Sequence, residues 1–266
     1  MVMDAAPTSL RSEIEKQAVP AERLSRALAP IRFLLIDDGA PESLSAVRMI
    51  TQLPLPPGSY VFLVGLVACR EAISYAVRLA NLEQIQDQLN RAGVKSGIKL
   101  LAGAPVEALT AYAQQVQAHM VIVGGRCRPR SPLMLEGSLL GLVEKSPIPL
   151  FLVRPGREKI NTVIALCSGS EDCELALEAM IMFPFPEEVA IRVLHTHPGH
   201  AASGRYEEMI KAPGEAPAYI EKEQPDLLVS GLSALEQLIS RPETFLGKGV
   251  SLPCSGSLLV VKEPQV

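Results

Sequence analysis

The chain contains no tryptophan and few aromatics of any kind (4%), and charged residues make up only 20% of it against 48% hydrophobic. So apolar a composition excludes a disordered bulk. With so few rings, its interior is built from Val, Ile and Leu strands under Ala/Leu helices, which is the α/β composition. A Gly-Lys-Ser/Thr triplet occurs nowhere, which excludes the Walker phosphate loop, and the Gly-x-Gly-x-x-Gly dinucleotide fingerprint is missing as well. The five cysteines (Cys69, Cys127, Cys167, Cys173, Cys254) form no C-x-x-C pair and their number is odd. A reduced chain is therefore expected rather than a disulfide framework. No apolar run approaches the roughly eighteen residues of a membrane span. Residues 1–30 are too rich in charge and in Ala/Glu for a secretion signal, so the expected location is the cytoplasm, without membrane insertion. A formal net charge of -4 argues against a nucleic-acid partner, because duplex binding needs clustered cations.

At 266 residues the chain has room for one large domain or two smaller ones, each with its own core. Residues 1–30 hold two short helix-like pieces, 9–18 and 21–28, set off by Pro20 and Pro30, and read as an N-terminal extension. From Ile31 onward strands and helices alternate. Strands are expected at 32–37, 60–67, 97–102, 120–123 and 150–153, with helices at 41–53, 71–91 and 105–116. Such alternation means a parallel sheet covered on both faces. After Pro155-Gly156-Arg157 the pattern restarts, with a strand at 162–166 and a helix at 173–182. Asp38-Gly39-Ala40 precedes Ser43 and Ala46; 130 positions on, Ser168-Gly169-Ser170 precedes Cys173 and Ala176. The residues 120–124 and 150–153 are echoed at 227–231 and 258–261. Two copies of one fold are expected, spanning 31–155 and 159–266, the second shortened between Gly247 and Val261.

The stretch 121–153 carries the strongest chemical signal. An apolar strand empties into Gly124-Gly125, a loop with Arg126, Arg128 and Arg130 follows, and Gly137-Ser138 opens a short helix beginning at Leu139. Free backbone N–H groups facing a basic loop make a phosphate cradle; the alternative is a solvated loop that happens to be basic. Asp38 stands where the first strand ends, at the carboxyl edge where open parallel sheets bind ligands. A carboxylate there either accepts hydrogen bonds from a ribose or adenine, or, like Asp37 beside it, caps the next helix. Cys127, flanked by arginines, is also a candidate for a lowered thiol pKa. His195, His197 and His200 invite a metal, but no carboxylate or cysteine stands at a matching spacing, so a partly exposed strand-end cluster and no metal are expected. Glu207-Glu208 and the other acidic pairs read as solvated faces. No nucleophile is accompanied by an evident general base, so no catalytic residue is assigned.

Taken together these residues resemble the universal stress proteins, in a tandem arrangement from about Ile31 to the end of the chain. Residues 38–46 follow that family's Asp-Gly-Ser-Glu-x-Ser-x-x-Ala register with two departures. Gly124 and Gly137-Ser138 match its Gly-x2-Gly-x9-Gly-Ser nucleotide motif, with Cys127 in place of the middle glycine. The resemblance implies two doubly wound domains of the adenine nucleotide alpha hydrolase-like class, each a five-stranded, mostly parallel sheet flanked by helices. It further implies ATP or AMP as ligand, with Mg²⁺ only alongside ATP. Ile36 and Asp38 would line the adenosine pocket, Gly124, Arg126, Cys127 and Arg128 would wrap the ribose and phosphates, and Gly137, Ser138 and Leu139 would hold the phosphate tail. The implied role is nucleotide sensing in a stress or regulatory response through a protein partner, with slow ATP hydrolysis at most. In the second copy Ser168 replaces the carboxylate and Thr244 falls where Gly-Ser is required, so that copy is expected to be degenerate. The family's domains pair through their last strands, which implies contact between 150–153 and 258–261 and, between chains, a homodimer. The alternative is a scaffold of the same fold that holds no nucleotide and acts through protein–protein contacts.

Overall fold

The structure is a computed structural model that describes residues 29–37, 43–67, 72–102, 104–124, 142, 145, 148–196, 207–211, 214–238 and 255–262. The expected N-terminal extension therefore lies outside the described residues, apart from Ala29 and Pro30. In chain order the elements of the first half are β1 (Arg32–Asp37), α1 (Ser43–Gln52), β2 (Tyr60–Val67), α2 (Ala72–Arg91), β3 (Lys95–Ala102), α3 (Pro105–Gln115), β4 (Met120–Gly124) and β5 (Leu150–Val153). The second half has β6 (Thr162–Cys167), α4 (Glu171–Met182), β7 (Ala190–His195), β8 (Glu207–Ile210), α5 (Ala216–Glu223), β9 (Leu227–Gly231), α6 (Leu232–Leu238) and β10 (Ser257–Val261). The fold is α/β, with a mostly parallel sheet flanked by helices.

The ten strands of the described residues join one sheet in the order β3-β2-β1-β4-β5-β10-β9-β6-β7-β8. Each five-strand half is parallel throughout, and the only antiparallel pairing among them is β5 with β10, where Leu152, Phe151 and Leu150 face Leu258, Leu259 and Val260. Strands buried on both faces should read as continuous apolar runs, and β4, β5, β9 and β10 are buried at every position. Because the junction is antiparallel, the carboxyl edges of the two halves open at opposite ends of the sheet.

Alternation divides the core into two layers. One layer packs Phe33, Leu35, Ile122, Phe151, Val163, Val229 and Leu259 under α1, α2 and α4. The other packs Leu34, Ile36, Val121, Val123, Leu228 and Val260 against α3, α5 and α6. Helix α1 buries Ala46, Val47, Met49 and Ile50, the one-sided spacing of an amphipathic helix, and ends ahead of Pro54. Phe183, just past α4, locks the halves together: its ring lies 5.3 Å from Phe151 of β5 and 6.4 Å from Phe33 of β1.

The 130-residue echo extends to backbone hydrogen bonds. Leu55 N–H donates to Leu53 O and Tyr60 N–H to Ile31 O; 130 positions on, Phe185 N–H donates to Phe183 O and Ala190 N–H to Asn161 O. At the opposite, amino edge the two halves reach the same end with different side chains. His119 Nδ1 accepts the Arg32 N–H at 3.2 Å, and Asp226 Oδ2 accepts the Thr162 N–H at 3.1 Å.

The structure corrects one expectation and extends another. Strand β3 begins at Lys95 rather than Gly97, since it pairs with β2 from Tyr60 onward. Gly97 sits inside the strand, opposite Phe62, where an added Cβ would meet the movable end of the Tyr60 side chain. The second half is shortened at a further place as well: residues 196–206 span the β7–β8 connection, where residues 68–94, including the 20-residue α2, span β2–β3.

Candidate functional site

In the first half the chain leaves β1 towards β2 on one side and later returns through β3 and α3 to β4 on the other side. The carboxyl ends of β1 and β4 therefore flank a topological switch point, the position at which open parallel sheets bind ligands. Ile36, fully buried, is in register with Val123, and Gly124 closes β4 in register with Val153. The fold thus brings Ile36 and Gly124 to the same sheet edge on adjacent strands. Asp38, Arg126, Cys127, Arg128, Arg130, Gly137, Ser138 and Leu139 lie outside the described residues.

Beside that edge sits a charge pair that the sequence reading missed. Asp37, 3% exposed, places Oδ2 3.3 Å from Arg78 Nη1, and the Arg78 side chain is itself 11% exposed. A pair this buried is tolerated because each charge answers the other's desolvation. Arg78 reaches Asp37 across β2 at Gly65, where an added Cβ would come within 2.9 Å of Arg78 Cγ and 2.8 Å of Leu82 and Leu100. A sequence signal existed: Arg78 lies on the stripe of Leu82, Ile85 and Leu89, the face that α2 buries. The geometry thus ties Asp37, the last residue of β1, to α2.

The equivalent crevice of the second half is built differently. Cys167 ends β6 and Cys173 stands in the first turns of α4, and the two form a disulfide with their Cα atoms 5.1 Å apart. The expectation of a fully reduced chain is thereby overturned. A strand that doubles back into a helix through Ser168-Gly169-Ser170 sets residues six positions apart face to face, which no C-x-x-C search detects. Beside the bridge, Asp172 Oδ2 accepts the Ser233 N–H at 3.1 Å and the Ser233 hydroxyl at 2.6 Å. Strand β9 runs straight into α6 at Leu232, and Gly231 is required because a Cβ there would collide with the Asp172 backbone. The chain's own carboxylate thus takes the amide that opens α6.

His195 also departs from expectation. It ends β7 in register with Cys167 and is 7% exposed, so it is not a partly exposed strand-end residue. Glu208, read as solvated, lies with Oε2 3.3 Å from His195 Nε2 in a contact without hydrogen-bond alignment. His197 and His200 lie outside the described residues. Among the described residues no group of three or more His, Cys, Asp or Glu is arranged to hold a metal, and no helix is long and apolar enough to cross a membrane.

No protein-family model matches this sequence, and no curated protein does either. Solved structures do match the fold. A universal stress protein from Archaeoglobus fulgidus DSM 4304 aligns over 87% of this chain and 96% of its own, at 13% identity and a TM-score of 0.61. A functionally unknown protein from Pseudomonas aeruginosa PAO1 aligns over 90% of this chain and 94% of its own, at 13% identity and a TM-score of 0.59. A candidate universal stress protein from Pseudomonas aeruginosa UCBPP-PA14 aligns over 90% and 95%, again at 13% identity and a TM-score of 0.59. At this identity the likeness is one of fold.

Proposed function

We propose that residues 31–155 form a universal-stress-protein-like unit that binds an adenine nucleotide, ATP or AMP, and that residues 159–266 form a degenerate second unit of the same kind. The observation that carries this reading is the switch point at the carboxyl ends of β1 and β4, with Ile36 and Gly124 on its two sides. Asp38 follows β1 directly, and the loop of Arg126, Cys127 and Arg128 follows Gly124 within a few residues. In this reading Ile36 and Asp38 receive the adenosine, and Gly124 with the arginine loop surrounds the ribose and phosphates. Gly137, Ser138 and Leu139 hold the phosphate tail through backbone N–H groups. Mg²⁺ would arrive with ATP. In the second half Asp172 already occupies the amide that a phosphate would use, which supports a single nucleotide site.

The role that follows is a cytoplasmic sensor whose nucleotide state is read by a protein partner, without metabolic turnover. The β5–β10 pairing supplies within one chain the contact that two such units would otherwise make as a homodimer. Calorimetric titration with ATP of the native chain, Asp38→Ala and Ser138→Ala tests the site; equal heats in all three remove it. The competing scaffold reading is favoured by Cys127 at the glycine position. Mass spectrometry of protein denatured straight after purification separates the two, because a co-purified adenine nucleotide supports the sensor and its repeated absence supports the scaffold.

A further inference from the structure

We propose that Cys167, Cys173 and His195 form a thiol–disulfide exchange site that reacts with low-molecular-weight thiols and disulfides of the glutathione type. The site lies at the opposite end of the sheet from the β1–β4 crevice, so it does not depend on the nucleotide reading. Three features of the structure converge on it. The first is the bridge itself, which spans a sequence separation of only six. A cross-link this local restrains the unfolded chain far less than one closing a long loop, so a staple for the fold is a weak reason for it. The second is register: Cys167 and His195 are paired residues on adjacent parallel strands, so their side chains leave the sheet on the same face.

The third is the state of His195. Its side chain is 9% exposed and neither ring nitrogen makes a hydrogen bond, the nearest charge being the unaligned Glu208. A buried imidazole with both nitrogens unspent is unfavourable. An oxidised Cys167 has no proton to offer it, whereas a Cys167 thiol does. The reduced form therefore supplies the partner that the oxidised form withholds, and the imidazole is placed to accept the thiol proton.

In the dithiol form His195 takes the Cys167 proton, and the thiolate attacks one sulfur of an external disulfide R–S–S–R. A Cys167–S–S–R mixed disulfide forms, and the departing RS⁻ takes the proton from the imidazolium as RSH. Cys173 then passes its proton to the freed imidazole and attacks the Cys167 sulfur; the internal bridge closes, and the second departing RS⁻ takes that proton from the imidazolium and leaves as RSH. Two electrons pass from the protein thiols to the external disulfide, and excess RSH reverses the sequence. Both cysteines are buried in the bridged form, so access runs through the Ser168–Gly169–Ser170 turn, where exposed Gly169 has φ +81°.

The test equilibrates the full chain with stepped ratios of reduced to oxidised glutathione, traps thiols by alkylation and reads the Cys167 and Cys173 peptides by mass spectrometry. The expected result is complete, reversible conversion of this pair while circular dichroism stays native. A bridge that persists under excess reduced thiol and dithiothreitol until the chain unfolds overturns the proposal. In a second measurement, His195→Gln should re-oxidise with oxidised glutathione at least about tenfold more slowly at pH 7. That gap should close towards about pH 9, where a thiol ionises unaided. Charged residues placed against this site are Glu208 on β8, Asp172 beside Cys173 on α4, and Lys211, whose N–H donates to the His195 carbonyl; all three are unchanged in the variant. A gap that stays constant across the pH range, or no gap at all, overturns the assignment of His195. If His195→Gln does not fold, the re-oxidation rate of the native chain is followed against pH instead, and a rate that rises about tenfold per pH unit up to about 9, as for an unaided thiol, overturns the role of His195.

Discussion

Replacing Asp172 by alanine is the sharpest test of how the second crevice is closed. Asp172 is 6% exposed, and its Oδ2 accepts two hydrogen bonds from Ser233, the N–H at 3.1 Å and the hydroxyl at 2.6 Å. Each is a bond to a charged acceptor, worth about 1.5–3 kcal/mol where the donor is left buried without a partner. The backbone N–H cannot turn away, whereas the hydroxyl can rotate to another acceptor, so most of the loss falls on the amide. Asp172→Ala should therefore cost about 2–4 kcal/mol. Ser233→Ala removes only the hydroxyl bond and should cost about 1 kcal/mol. Urea unfolding of the native chain, both single variants and the double variant gives the coupling energy, which should reach about 1 kcal/mol or more. Additive losses, or an Asp172→Ala cost below about 0.5 kcal/mol, would refute the view that this carboxylate seals the crevice.

Phe183→Ala removes the ring shared by Phe33, Phe151 and Phe185, and should cost about 3–5 kcal/mol. Hydrogen exchange should show protection lost in both halves, and loss confined to the second half would mean that the ring does not couple them. The His119 pKa is lowered by burial and by Arg32, and Nδ1 must be neutral to accept the Arg32 N–H. Its contribution is present above the ordinary value of 6.5 and is lost as pH falls through the lower folded value. In His119→Asp, which copies the Asp226 arrangement, the slope of stability against pH just below 6.5 should flatten, and an unchanged slope argues against the assignment. Glu158 is held at about 2, first by its hydrogen bond from Arg48, with N···O 2.7 Å. Its contribution is present above 4.5 and fades as pH falls through about 2. Arg48 is half exposed, so the pair is worth about 1 kcal/mol. Arg48→Ala should move the Glu158 titration, followed by carboxyl NMR, back towards 4.5.

Much of the frame was legible from composition and periodicity. Strands such as 120–124 and 150–153 are apolar at nearly every position, and only a sheet covered on both faces accounts for that. The repeat was legible because 38–46 and 168–176 share spacing, and the connections after α1 and α4 close with the same hydrogen bonds. Arg78 was harder to see, since its role depends on a glycine thirteen residues earlier in a different element. The candidate nucleotide site was read from motif spacing, and the structure describes only its strand-borne members, Ile36 and Gly124.

Local patterning by itself determined the alternation of strands and helices, the restart after Pro155-Gly156-Arg157, and where the strands end. These follow from short-range rules: two-residue alternation, helical spacing, and turns forced by proline and glycine. Tertiary structure alone decided that Asp37 belongs to Arg78, that Cys167 meets Cys173 beside His195, and that Asp172 fills the second crevice. Each of these depends on the distance between atoms carried by separate elements, and that distance is set by how the elements pack, which no spacing along the chain records.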